Sequence, residues 1–178
     1  ERKETYATTG SRMLVRFFGG WDFTKQDAQA RLPGAIGYTK GVPMGGDLPK
    51  GPAGKAPTFL VAALKDPLSG NLDRIQIVKG WLGADGVARE KVYDVAWSGD
   101  RRPDRAGKLP PVGNTVDVAN ATWTNTIGAA ELIEVDFSPL DVIAETGHAM
   151  SPDAVRIWPD APHNVALDWG NGDEAATE

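Results

Sequence analysis

Short apolar segments, separated by glycine and proline, run along most of the chain. In residues 12–18 the positions alternate, with Met13, Val15 and Phe17 on one face and two arginines on the other. This alternation is typical of a strand in a sheet that buries one side. Residues 58–64 are apolar throughout and lie between two prolines, which indicates a central strand buried on both faces.

The next part of the pattern predicts a hairpin. Residues 72–82 and 87–97 both read as strands, and Asp85 and Gly86 between them form a strong signal for a tight turn. Further strands are predicted at 112–118, 122–127 and 129–135. Short antiparallel strands at this spacing predict a mainly β fold, an antiparallel β-sandwich-like domain with long Gly/Pro-rich loops.

Two segments depart from the strand pattern. Residues 34–55 are rich in glycine and proline and poor in core-forming residues, so a long loop is predicted there. In residues 136–178, Ser138 and Ser151 each precede a proline and helix-compatible residues, which predicts two short helices. Residues 160–178 lack periodicity and are expected to be disordered.

The composition is that of an ordinary globular chain. It has 178 residues, of which 41% are hydrophobic and 24% charged, which excludes wholesale disorder and a fibrous architecture. No apolar segment approaches the roughly 20 residues of a membrane-spanning helix. Cysteine is absent, so disulfides and thiolate ligands are excluded. The chain begins with Glu1 and not Met, which we interpret as a fragment or processed product.

The net charge of -5 is unevenly distributed. Residues 1–135 hold 18 of the 19 basic residues and 15 of the 24 acidic ones, whereas the remaining 43 residues hold one arginine and nine acids. This shift predicts a boundary near Val135. Basic and acidic residues alternate before that boundary, so a nucleic-acid partner is not expected.

Known catalytic motifs do not fit the sequence. Residues 51–55 resemble a phosphate-binding loop only superficially, because the glycines are too close together and Ala56 stands where serine or threonine is required. His148 and His163 lie in the acidic tail, where exposed side chains are more usual than metal ligands. We therefore assign no catalytic and no metal-binding residue in this chain.

Trp81, Trp97 and Trp123 are the candidate ligand-binding residues. They lie on or beside predicted strands and could form a stacking platform for sugars. Burial in the core is the more frequent fate of strand tryptophans, and we favour it. Glu131 and Glu134 stand three apart on a predicted strand, so they face opposite sides and cannot share acid and base roles.

Several long segments of the chain resemble motifs of one protein family. They include KETYATTG at residues 3–10, RFFGGWDF at 16–23, GVPMGGDL at 41–48, and the segments at 56–81, 90–101 and 112–135. Together they cover about three quarters of the chain. In these segments the protein resembles the uncharacterised bacterial family catalogued as domain of unknown function 3604.

Members of that family look like metal-dependent hydrolases related to the polymerase-and-histidinol-phosphatase superfamily, whose barrel binds divalent metals. The resemblance implies that residues 1–11 end such a barrel, 12–135 form its β-sandwich-like C-terminal portion, and 136–178 are an atypical acidic tail. The family's last metal-binding motif would lie upstream of Lys3. No cofactor is therefore expected in this fragment, and a divalent metal is expected in the missing upstream barrel.

The resemblance thus implies a non-catalytic accessory fragment of a phosphoesterase-like hydrolase. It would pack against the upstream barrel and cover the barrel's site with the segment at 34–54. The alternative is a free-standing carbohydrate- or surface-binding sandwich that uses Trp81, Trp97 or Trp123. Loss of the barrel would leave an exposed edge or apolar face near Arg12, which predicts self-association.

Many members of that family look exported, so the resemblance implies a periplasmic or extracellular location. After Val135 the sequence departs from the family pattern. A frameshift, a junction between gene fragments and a lineage-specific extension would each produce such a departure, and we favour an artefactual or non-homologous end.

Overall fold

The computed structural model describes residues 4–53, 55–83 and 85–136, together with the backbone of two strands further along the chain. The strands are β1 (Leu14–Gly20), β2 (Gly41–Pro43), β3 (Thr58–Leu64), β4 (Leu72–Leu82), β5 (Ala88–Trp97), β6 (Val116–Asp117), β7 (Thr122–Trp123), β8 (Glu131–Asp136), β9 (Ala154–Pro159) and β10 (Val165–Asp168). A 3-10 helix spans Asp27–Gln29 and helix α1 spans Pro33–Lys40. No helix of the described residues is long and apolar enough to cross a membrane.

The strands form two four-stranded sheets and a small ribbon. Sheet A has the order β2-β1-β3-β8, sheet B has the order β10-β9-β4-β5, and β6 pairs with β7. Every strand pair is antiparallel. The predicted mainly β, antiparallel fold is therefore confirmed. The predicted strand at 58–64 coincides with β3, and the predicted hairpin corresponds to β4 and β5.

The inner faces of the two sheets share one hydrophobic core. Its buried side chains are Met13, Val15, Phe17, Met44, Phe59, Val61 and Ala63 from sheet A and its flanks, and Leu72, Ile75, Ile77, Val95 and Ala96 from sheet B. The rings of Phe17 and Phe59 stack, with centroids 5.4 Å apart. The core thus forms between the alternating inward positions of both sheets, as expected for a sandwich.

The outer face of sheet A is covered at one end by the two helices. Phe18, Leu60 and Val135 are buried there, with Ile36 of α1 packed against them. A Cβ atom on Gly37 would lie 2.3 Å from the Phe18 ring, so the backbone of α1 rests directly on that ring. Strand β3 is consequently buried on both faces, as predicted.

The prediction of a loop throughout residues 34–55 is wrong in its first half, which holds α1 and β2. The glycines of this segment lower its helix propensity. Pro33 nevertheless suits the first turn of a helix, and the close approach of Gly37 to Phe18 requires a residue without a side chain. Tertiary packing therefore determines the local structure here.

The helix predicted after Ser151 is also wrong, because Ala154–Pro159 form β9. This strand pairs with β4 on one side and β10 on the other, and it satisfies the backbone polar groups along one edge of β4. The disorder predicted for 160–178 is wrong at Val165–Asp168, which form β10. The helix predicted after Ser138 lies outside the described residues.

Candidate functional site

A cavity of about 460 Å³ opens where β1 leaves sheet A. Its walls are residues 21–24, which follow β1, and residues 55–58, which lead into β3. Because Gly20 and Thr58 are register partners in the antiparallel pair, the two wall segments meet at the same end of the sheet. The cavity is widely open to solvent, so a molecule bound there would lie against its walls without being enclosed.

Hydrogen bonds of Thr58 join the two wall segments of the cavity. The buried hydroxyl of Thr58 accepts a hydrogen bond from the Phe23 backbone N–H at 3.2 Å and donates one to the Gly20 carbonyl at 3.3 Å. The Phe23 ring belongs to the buried cluster beneath the helices. Both wall segments are therefore attached to the core.

An exposed ion pair stands at the cavity. The ammonium of Lys55 donates a hydrogen bond to the carboxylate of Asp22, and these side chains are 45% and 76% exposed, respectively. Such exposed pairs contribute little stability, about 0–1 kcal/mol. The two groups can therefore exchange partners with a bound molecule at low energetic cost.

The Trp21 indole holds the segment that precedes the cavity wall. We call residues 45–53 the strap; they are mostly exposed and have no helix or strand. The indole Nε1 donates to the Pro49 carbonyl at 3.2 Å. A Cβ atom on Gly51 would lie 2.4 Å from the indole, so the backbone of Gly51 contacts one face of the ring.

Asp27 anchors the wall of the cavity to α1. The ammonium of Lys40, at the end of α1, donates to both carboxylate oxygens of Asp27, at 2.7 and 2.8 Å. The backbone and hydroxyl of Thr24 donate at 2.7 and 3.1 Å. Burial raises the pKa of Asp27, but the hydrogen bonds from Lys40 and Thr24 outweigh it and hold the pKa below the ordinary value of 3.8.

We expect Asp27→Asn to lower the free energy of unfolding at neutral pH, and the difference from wild type to shrink in acid. The folded-state pKa is depressed, so the ionised carboxylate stabilises the fold above pH 3.8. That contribution is lost as the pH falls through the lower, folded-state pKa. Urea unfolding over a pH series measures it. The free energy of unfolding of the control, Gln29→Ala, should differ from that of wild type by the same amount at every pH. A pH-independent difference for Asp27→Asn would contradict the prediction.

The structure places two of the three predicted ligand-stacking tryptophans, Trp81 and Trp97, far apart on one hairpin. Trp81 is the register partner of Arg89 and Trp97 that of Arg74, so seven residues of β4 separate the two positions. This spacing corresponds to about 23 Å at roughly 3.3 Å per residue. Trp123 lies on the β6–β7 ribbon and is 47% exposed. The three rings therefore do not form one stacking platform.

The preference for core burial of these tryptophans is wrong. Trp81 and Trp97 are half-buried and Trp123 is exposed. The Trp97 indole donates to the Arg101 carbonyl at 2.9 Å, and the Lys79 ammonium lies 4.9 Å from the centroid of the Trp81 ring. Their polar surroundings suit tryptophans at the rim of a sheet.

Glu131 and Glu134 face opposite sides of one strand, as the sequence predicted. Glu131 pairs with Leu64 and Glu134 with Val61, so the two carboxylates project from opposite faces of β8. In the part of the chain with described side chains, no three His, Asp or Glu residues come close enough to hold a metal ion. His148 and His163 lie outside that part.

Sequence reasoning missed the cavity residues Trp21 and Asp22. The available signal was an indole and a carboxylate directly after the two glycines that end β1. Lys55 was considered only as part of a phosphate loop, and it pairs instead with Asp22. The cavity depends on chain segments 33 residues apart in sequence, which no local pattern shows.

Comparison with known proteins gives a family for the chain. Residues 1–139 match the model of a family described as "Protein of unknown function (DUF3604)". Because the match covers most of the chain, the protein belongs to this family. No curated protein and no solved structure matches it.

Proposed function

We propose that this chain is a non-catalytic accessory domain of a metal-dependent, phosphoesterase-like hydrolase, and that it packs against the hydrolase barrel of the same protein. Membership of the family over residues 1–139, together with the resemblance of that family to barrel hydrolases, supports the proposal. In this proposal the divalent metal belongs to the barrel, and no residue of this chain is assigned to it.

An exposed apolar pair on sheet A carries the proposal. Leu14 of β1 and Leu64 of β3 are register partners, and they are 53% and 43% exposed. They lie on the face of sheet A that the helices cover at its other end, around Phe18. Exposed apolar surface can mark a docking face, and this pair supports the proposal in that sense.

The entering chain passes beside this pair. The backbone N–H of Arg12 donates to the carboxylate of Asp66 at 2.7 Å, which ties the chain before β1 to the turn after β3. Leu68 in the same turn is 81% exposed. Further upstream, the Tyr38 hydroxyl of α1 donates to the Glu4 carboxylate at 3.1 Å. A domain that precedes Glu4 would therefore arrive beside α1, on the face of sheet A that also carries Leu14 and Leu64. The strap is the segment available to reach over a neighbouring site, since α1 and β2 occupy the rest of the predicted loop.

Activity of the isolated chain tests the first half of the proposal. The purified 178-residue chain should not hydrolyse p-nitrophenyl phosphate or bis-p-nitrophenyl phosphate with added Mg²⁺, Mn²⁺ or Zn²⁺. Hydrolysis that a chelator abolishes would contradict the proposal, because the chain would then contain a metal centre of its own.

The second half predicts that Leu14→Lys combined with Leu64→Lys weakens binding to the separately expressed barrel of the same protein. We expect a loss of about tenfold or more in affinity by calorimetry, because two apolar contacts are lost and two charges are buried. The matched control is Leu82→Lys with Val118→Lys, at positions that are 60% and 85% exposed elsewhere on the surface. Equal binding by both double variants would count against this docking face.

A further inference from the structure

We propose that the cavity between Trp21 and Lys55 binds one hydroxylated ring, such as a monosaccharide unit, against the indole of Trp21. This inference rests on the cavity and is independent of the proposed barrel partner. It differs from a platform made of Trp81, Trp97 and Trp123, because Trp81 and Trp97 lie far apart on the β4–β5 hairpin.

The walls of the cavity combine apolar and polar groups. Trp21 and Ala56 give accessible apolar surface with Phe23 and Pro57 buried behind it, and Asp22 and Lys55 give one carboxylate and one ammonium. A pyranose ring presents C–H groups on its faces and hydroxyls around its rim. Its face can therefore pack on the Trp21 indole while the rim meets the charged pair.

The hydroxyls of the walls are already used by the protein. Thr58 bonds to Phe23 and Gly20, and Thr24 donates to Asp27. Asp22 and Lys55 remain as the side chains that can orient a ligand, because they are exposed and bond to each other at the surface. Neighbouring hydroxyls of a sugar can donate to the carboxylate and accept from the ammonium, so a neutral diol fits between the two charges.

Trp21 is held in place before a ligand arrives. Its Nε1 is bonded to the Pro49 carbonyl, and Gly51 contacts one face of the ring. A fixed ring loses little conformational entropy when a ligand stacks on it, which favours binding. The strap thereby contributes to the site indirectly, by positioning the indole.

Saturation-transfer NMR with methyl glycosides of glucose, galactose, mannose and xylose tests the proposal on the whole chain. We expect saturation of ring C–H protons for at least one glycoside. Trp21→Ala should weaken its binding about tenfold, the scale of a lost aromatic contact. The matched control is Trp123→Ala, on the β6–β7 ribbon, which should bind as wild type does.

Lys55→Met and Asp22→Asn keep the test valid if Trp21→Ala fails to fold, because both side chains are exposed. Each should weaken binding severalfold, while Lys50→Met and Asp47→Asn on the exposed strap should not. The proposal fails if no glycoside binds, if binding depends on Trp123 and not on Trp21, or if free amino acids bind at this site and glycosides do not.

Discussion

Arg74→Met is expected to lower the free energy of unfolding by about 3 kcal/mol, at the lower end of the range for breaking a buried ion pair. The Arg74 guanidinium is buried and bonds to Asp73 at 3.1 and 3.2 Å. It also donates to the carbonyls of Leu109 and Pro110 at 2.9 and 3.0 Å. Its loss leaves the Leu109 carbonyl without this donor, whereas Arg101 still contacts Asp73 and the Pro110 carbonyl.

Urea unfolding of Arg74→Met should be compared with that of Arg89→Met. Arg89 also pairs with an aspartate, Asp85, but both side chains are exposed at the hairpin turn. The Arg89 variant should unfold at nearly the wild-type midpoint, since exposed pairs contribute little. Equal shifts for the two variants would contradict the importance that we attach to burial.

Phe17→Ala is expected to lower the free energy of unfolding by about 3–5 kcal/mol, the usual cost of truncating a buried phenylalanine. Phe17 is 1% exposed, stacks on Phe59 and belongs to the core that both sheets share. The cavity left behind would lie between the sheets, where close packing limits relaxation.

Chemical denaturation checks this value, and two variants control it. Phe17→Leu preserves most of the apolar volume and should cost clearly less. Tyr38→Ala removes an aromatic ring that is 53% exposed on α1 and should also cost less. If Phe17→Ala and Tyr38→Ala had equal effects, the assignment of Phe17 to the centre of the core would be wrong.

The strands were predictable where their apolar pattern reflects burial. Residues 59–63 are apolar throughout because β3 is covered by sheet B on one face and by the helices on the other. The β4–β5 hairpin was predictable because Asp85 and Gly86 are local turn signals, and Gly86 has the positive φ of 75° that favours glycine.

The parts that were missed depend on contacts between distant segments. Helix α1 contains glycine because Gly37 lies against Phe18, and only the folded structure shows that contact. The candidate site was missed for the same reason, since Trp21 is fixed by Pro49 and Gly51, and Asp22 by Lys55. The stacking platform was predicted from residue type alone, and the register of β4 with β5 separates Trp81 from Trp97.

The strand order of sheet A has a consequence for synthesis on the ribosome. Strand β3 pairs with β1, which precedes it, and with β8, which follows only after the whole β4–β5 hairpin and the β6–β7 ribbon. During translation the edge of β3 that later pairs with β8 therefore stays open until β8 emerges, and such an edge can recruit strands of other nascent chains. A slow passage through the codons between β5 and β8 would lengthen that exposure and lower the yield of soluble protein.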